Sequence, residues 1–175
     1  MHMESDALLA LIRLNRAWLA QAAQLVGRLT GAQYRAAGPH FRHILEFYGC
    51  FLDGLPSGEV DYDARRRDST LERDPAAALT RIADLAAALA SLAGERPTRP
   101  VAVRMEDASG LGLTCPWLPS SLGRELQSLS SHTVHHFAII ALTLRPLNVA
   151  LDAAFGVAPS TLRHANSEAS QQCAR

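Results

Sequence analysis

Apolar residues recur at three- and four-residue steps through four long stretches of this chain, and that period commits it to helices rather than strands. The first stretch covers roughly residues 5–30, through Leu8, Leu11, Ile12, Trp18, Leu19, Ala22, Leu25 and Leu29, with Gly31 read as its closing glycine. The second is expected to open at Gly38-Pro39, proline suiting the first turn, and to run through Phe41, Ile44, Leu45, Tyr48 and Leu52 to Gly54 and Pro56. A charged crossover, SGEVDYDARRRDSTLERDP, reads as solvated and ion-paired, with a lesser prospect of lining a substrate mouth. Asp74-Pro75 starts the third helix, Asp74 as N-cap, and this alanine-rich helix runs to about Gly94.

Residues 95–119 interrupt the pattern. VAVRM, a turn-like EDASG and LGLTC predict a short β-hairpin or irregular insertion. Ser120 or Ser121 then caps the fourth helix, which ends at Leu144-Arg145-Pro146. GVAPSTLRH is expected to pack as a short turn, and the tail from residue 165 to 175 to fray, leaving one domain over 1–164. Four long helices with one long crossover predict an all-α antiparallel bundle.

Composition narrows the function classes. The chain has 175 residues, 48% of them hydrophobic, with 17 basic and 17 acidic side chains and no basic block, so it can build one real core and gives no reason to expect nucleic-acid binding. The most apolar run, after His136, is about ten residues and falls short of the ~20 that span a bilayer. The first residues carry acids where a signal peptide has bases. Cys50, Cys115 and Cys173 are scattered and form neither a disulfide framework nor a zinc pattern. A cytoplasmic protein is the expectation.

The histidines carry the chemistry. Five of the seven fall in two short helical segments, His40 and His43 in GPHFRHILEF and His132, His135 and His136 in SHTVHHFAII. His132 and His136 stand four residues apart, so on a helix both rings share one face, within about 40°. That spacing lets one helix offer a metal two nitrogens. His135 is turned roughly 60° to the other side and is expected at a rim or a neighbouring helix. On the second helix His43 is the central candidate, with His40 in the first turn read as an exposed or hydrogen-bonded extra and Cys50 as a small core residue. Nitrogen ligation suits zinc or nickel, and also iron or cobalt, whereas calcium and magnesium prefer oxygen. Glu46 and Glu125 are the carboxylates best placed to orient a ring or to accept a proton.

These two segments, and the long crossover and extra helix between them, resemble the DinB/YfiT-like superfamily of bacterial proteins. GVAPSTLRH resembles the end of a subgroup of it. The resemblance implies an up-down-down-up four-helix bundle with a three-histidine metal site at its centre, whose ligands match His43, His132 and His136. Assigned members are thiol-dependent transferases, using bacillithiol or mycothiol, or related metal-dependent enzymes, and homodimers are common. The expectation for this chain is therefore a divalent-metal protein that activates a thiol or water for transfer to, or hydrolysis of, a small electrophile. The alternative is a non-enzymatic, stress-associated binding or assembly protein with a structural metal or none.

Overall fold

The computed structural model of the chain describes residues 2–105, 109–113 and 115–172. It is mostly helical, with a small three-stranded sheet. Four long helices carry the core: α1 (His2–Val26), α2 (Gly31–Gly54), α4 (Pro75–Ala90) and α5 (Leu122–Leu144). Helices α1 and α2 each pack against both α4 and α5. Leu8, Ile12, Leu19 and Leu25 of α1 meet Phe41, Ile44, Leu45 and Phe51 of α2, Ile82, Leu85 and Leu89 of α4, and Leu126, Leu129, Phe137 and Ile140 of α5 in one buried cluster. Each helix shows the apolar stripe its period predicts.

Helix α2 starts a full two turns before the position that Gly38-Pro39 suggested. Thr30 accepts a hydrogen bond from the Gln33 N–H, and the Gln33 side chain accepts from the Thr30 N–H, a reciprocal capping box. Gly31 therefore opens α2 instead of closing α1, and Pro39 lies inside a helix. His40 is consequently an interior residue of α2 and not a first-turn one. Gly38 has its own reason to be bare. A Cβ there would sit 2.0 Å from the Glu72 carbonyl oxygen, so glycine lets the short helix α3 (Thr70–Arg73) lie directly on α2. Arg42 then pairs with Glu72 at 3.0 Å and fastens the two together.

The crossover is less solvated than its charge suggests. Its EVDYD segment alternates, Val60 and Tyr62 are buried, and Glu59–Asp61 forms strand β1. Strand β1 pairs in parallel with β2 (Pro100–Arg104), and β2 pairs antiparallel with β3 (Leu118–Ser121), Val101 opposite Ser120 and Val103 opposite Leu118. VAVRM thus supplies the expected strand, and among the described residues LPSS pairs with it antiparallel. The expected EDASG turn falls largely outside the described residues, of which Ser109 and Gly110 belong to a short 3-10 turn. An ion pair between Arg104 and Asp61 ties the outer ends of β1 and β2.

Asp74 caps α4 by accepting from the Ala76 N–H at 2.8 Å, with Pro75 in the first turn, and Ser121 caps α5 by accepting from the Arg124 N–H at 3.3 Å. Pro75–Gly94 is a 20-residue stretch long and apolar enough by composition to cross a membrane, which the expectation of no such run missed because alanines supply the hydropathy. Here it packs against α1 and α2 through Ala78, Ile82, Leu85 and Leu89. Much of the segment expected to turn opens a helix, α6 (Pro159–Gln172), with Pro159 preset for its first turn, and residues 173–175 of the tail expected to fray lie outside the described residues. Its described side chains are exposed or half-buried.

Candidate metal centre

The 3.6-residue period of α5 puts His132 and His136 on the face that meets α2, and α2 returns His43 from the opposite side. The three rings converge. Their centroids lie 4.4 Å (His43 and His136), 4.6 Å (His132 and His136) and 4.9 Å (His43 and His132) apart. One nitrogen from each lies within 4.8 Å of the other two. A tetrahedral ion with nitrogen ligands about 2.0–2.1 Å away needs its ligand atoms about 3.3 Å apart, so ring rotations of an ångström or so complete the geometry. His43 Nε2 and His132 Nε2 already face each other at 3.0 Å.

Burial tunes these rings toward the ligand state. Each is half-buried, and loss of water around the imidazolium lowers the pKa of His43 to about 4, of His132 to about 4 and of His136 to about 3. The other rings, and Arg65 beside His43 and His132, add repulsion that lowers them further. All three are therefore neutral at pH 7, with lone pairs available. Three neutral imidazoles directed at one point are a donor set that suits a borderline divalent ion.

The surroundings hold the rings in place. Phe47 stacks on His132 with centroids 4.0 Å apart, and Tyr62 stacks on the far face of this aromatic column at 5.0 Å from Phe47. Tyr62 donates its hydroxyl to Glu125 at 2.8 Å, and Ser120 donates to the same carboxylate at 2.5 Å. Burial and that carboxylate raise the Tyr62 pKa far above its ordinary value, so its proton stays. Glu46, also buried, accepts from the Asp68 N–H at 2.7 Å and anchors the crossover on α2. Both sequence-selected carboxylates are thus engaged in fixing the crossover and the column beside the rings, and no hydrogen bond joins either to the three histidines.

The other two histidines take different places. His40 Nδ1 lies 3.2 Å from His136 Nδ1, a ring-to-ring hydrogen bond that sets the orientation of His136. His135 is exposed, with its edge toward His136 at 5.4 Å, on the rim as expected. Cys50 is half-buried against the core, and burial raises its thiol pKa to about 11.

Sequence reasoning did not single out Arg65. Its guanidinium donates to His43 Nδ1 and lies over the Phe47 ring, 5.2 Å from the centroid. The alternation of EVDYD was the available signal, since a strand at 59–61 swings the following arginine back over α2. A cleft of about 650 Å³ opens onto the histidines between the crossover and α5, with Arg65, Arg124, Ser128, Ser131, Phe47 and Met105 among its lining.

No family model matches the chain, and no solved structure matches it. FK506-binding protein 5 of Rhizopus delemar is 47% identical over 45 residues, which amount to 26% of this chain and 12% of that protein. The chain spans about an eighth of the length of that relative, and the likeness is confined to one segment.

Proposed function

We propose that this chain is a DinB/YfiT-like four-helix-bundle metalloprotein in which His43, His132 and His136 hold one divalent transition ion, zinc or nickel before iron or cobalt. The observation that carries the reading is the convergence of three neutral imidazole nitrogens within 4.8 Å beside an open cleft. Bound there, the ion supplies Lewis acidity that draws the pKa of a coordinated water or thiol down towards neutrality. Transfer of the thiol to a small electrophile, or hydrolysis of that electrophile, is the chemistry such a centre serves.

The protein's own groups divide the remaining work. His43 and the α5 pair fix the ligand positions on two rigid helices. Phe47 and Tyr62 exclude water from one side of His132, and Glu125 locks Tyr62 through its two hydrogen bonds. Glu46 holds the backbone at Asp68 and so the crossover that carries Arg65. In this reading both glutamates act as positioning residues. Among the described residues the three-ring set has no fourth protein ligand within the same distance, which supports an open, catalytic coordination position over a closed structural one.

One contact favours the second reading, a structural metal in a non-enzymatic binding protein. His40 is near enough to His136 to close the site if it turns inward. Metal analysis of untagged protein, wild type and His132→Ala, tests the centre: about one ion per chain is expected in the first and none in the second. Unchanged metal content in the variant would reject the assignment. Metal retention in wild type but not in His40→Ala would favour the closed site.

A further inference from the structure

The polar side chains that line the cleft in front of the histidines are mostly hydrogen-bond donors. On α5, Arg124, Ser128, Ser131 and His135 follow at four-, three- and four-residue steps and form one stripe along the cleft wall beside His132. Across from them stands Arg65. The one acid among the described lining residues, Asp63, is itself engaged. Arg124, Ser128 and Ser131 make no side-chain hydrogen bond within the described protein.

Arg65 is the unusual member. Arg42, Arg65 and Arg104 each leave a buried Nε without a hydrogen-bond partner. Arg42 pairs with Glu72, and Arg104 pairs with Asp61. Among the described residues Arg65 has no carboxylate partner: its contacts there are the neutral His43 ring and the Phe47 face. A half-buried guanidinium without an anion, holding an unmet buried donor, is a poor arrangement for stability alone. It suits a site in which the anion arrives with the ligand. Guanidinium presents a planar fork that matches carboxylate geometry, and Phe47 and Met105 offer apolar surface beside it.

We infer that the cleft binds a small molecule through a carboxylate held by Arg65 and Arg124, its reacting end directed at His43, His132 and His136. This rests on the metal-centre reading for the role of the reacting end, but recognition of the carboxylate stands on the cleft alone. It assigns the substrate class as small carboxylic acids, with the thiol or the electrophile carrying the acid group. Neutral and cationic analogues are disfavoured by the same donors: the first leaves them unmatched, and the second is repelled.

Two matched pairs of probes test it. NMR titration of metal-loaded protein compares 3-mercaptopropionate with 2-mercaptoethanol, and titration of metal-free protein compares propionate with propionamide. The carboxylate of each pair is expected to bind about tenfold or more tightly, the scale of one charge-assisted hydrogen-bonded pair. Arg65→Gln is expected to bring both ratios close to one, Arg65→Lys to restore part, and both variants to keep their metal. The metal-free pair separates recognition by arginine from direct carboxylate binding to the ion. Equal affinity within the metal-free pair, or a ratio that survives Arg65→Gln combined with Arg124→Gln, overturns the inference. If wild type holds no metal, the metal-centre reading fails while the propionate pair still decides the cleft. If metal is retained and the pairs bind alike, the cleft inference fails and the metal centre stands.

Discussion

Two polar clusters interrupt the same apolar interior, and they are built on opposite principles. On the α1 side, Asn15, Tyr48 and Thr133 are each almost wholly buried and satisfy one another. Tyr48 donates to Asn15 Oδ1 at 2.7 Å, Asn15 donates to the carbonyls of Leu11 and Leu126 at 2.9 and 3.0 Å, and Thr133 donates to the Leu129 carbonyl at 2.7 Å. On the α2–α5 side, His43, His132 and His136 are half-buried and present nitrogens to one another around a shared point. The first cluster is a closed hydrogen-bond network that ties α1, α2 and α5 together. The second is built from rings whose nitrogens meet one another pairwise, His43 with His132 at 3.0 Å and His136 with His40 at 3.2 Å, beside an open cleft. The first cluster is closed on itself, whereas the second could hold an ion, which is the difference the proposed function turns on.

The largest expected effect comes from breaking the second cluster. His132→Ala removes the ring that faces His43 Nε2, and metal affinity should fall on the order of a hundredfold or more, beyond the loss typical of an outer-shell change. In the metal-free protein the same substitution should lower the thermal midpoint only modestly, through the lost Phe47 stack and the lost contact with His43. Metal content by elemental analysis and calorimetry of both forms check the pair of outcomes.

The mirror experiment is Tyr48→Phe. It leaves Asn15 Oδ1 buried without its donor, so unfolding should become easier by about 1–3 kcal/mol while metal content holds. Loss of metal in this variant, read by elemental analysis beside a denaturant titration, would show that the two clusters are one unit.

These two clusters were not equally legible. The HxxxH spacing and the stripe through His43 point to the trio that the fold brings together, because helical periodicity converts sequence distance into a shared face. Asn15 carries no such signal: a single polar residue inside an apolar run looks the same whether it faces water or a partner. Of the fold, the capped starts at Asp74-Pro75 and Ser121 were readable from short-range chemistry. The start of α2 was misplaced because Pro39 drew attention from the Thr30–Gln33 box. The strand at 59–61 was hidden by its charges, although Val60 and Tyr62 alternate inward, and the pairing of β2 with 118–121 is a long-range choice no local pattern announces.

Acid should separate the clusters next. In the metal-free protein the three rings have pKa values of about 3 to 4, against about 6.5 when unfolded. Between those values the unfolded chain binds more protons than the folded one, so stability is present above pH 6.5 and is lost as pH falls towards 3. Nothing in the Asn15–Tyr48–Thr133 cluster ionises in that window, so Tyr48→Phe should shift the whole curve with its slope intact. His132→Ala should flatten it. Denaturant midpoints of the three proteins from pH 7 to 4 give the comparison, and equal slopes for wild type and His132→Ala would contradict the assigned burial of the rings.

The smallest effect is also the most diagnostic, because it runs opposite to the usual loss. Guanidinium has donors only, so while Arg65 donates to His43 Nδ1, that nitrogen must accept and the proton of the neutral ring sits on Nε2. Nε2 is the atom that faces His132. Ligation through it requires the other tautomer, with the proton on Nδ1, where it would confront Arg65 donor to donor. Arg65 therefore competes with the ion, by tautomer and by charge, and must turn away when the site fills. Arg65→Gln removes the charge and offers an oxygen that can accept from Nδ1–H, so metal affinity should rise by roughly threefold to tenfold, a shift of about 1 kcal/mol. Competition with a chromophoric chelator measures it. A fall in affinity instead would mean that Arg65 orients His43 for ligation, and the donor-rich wall of the cleft would then belong to the metal centre itself.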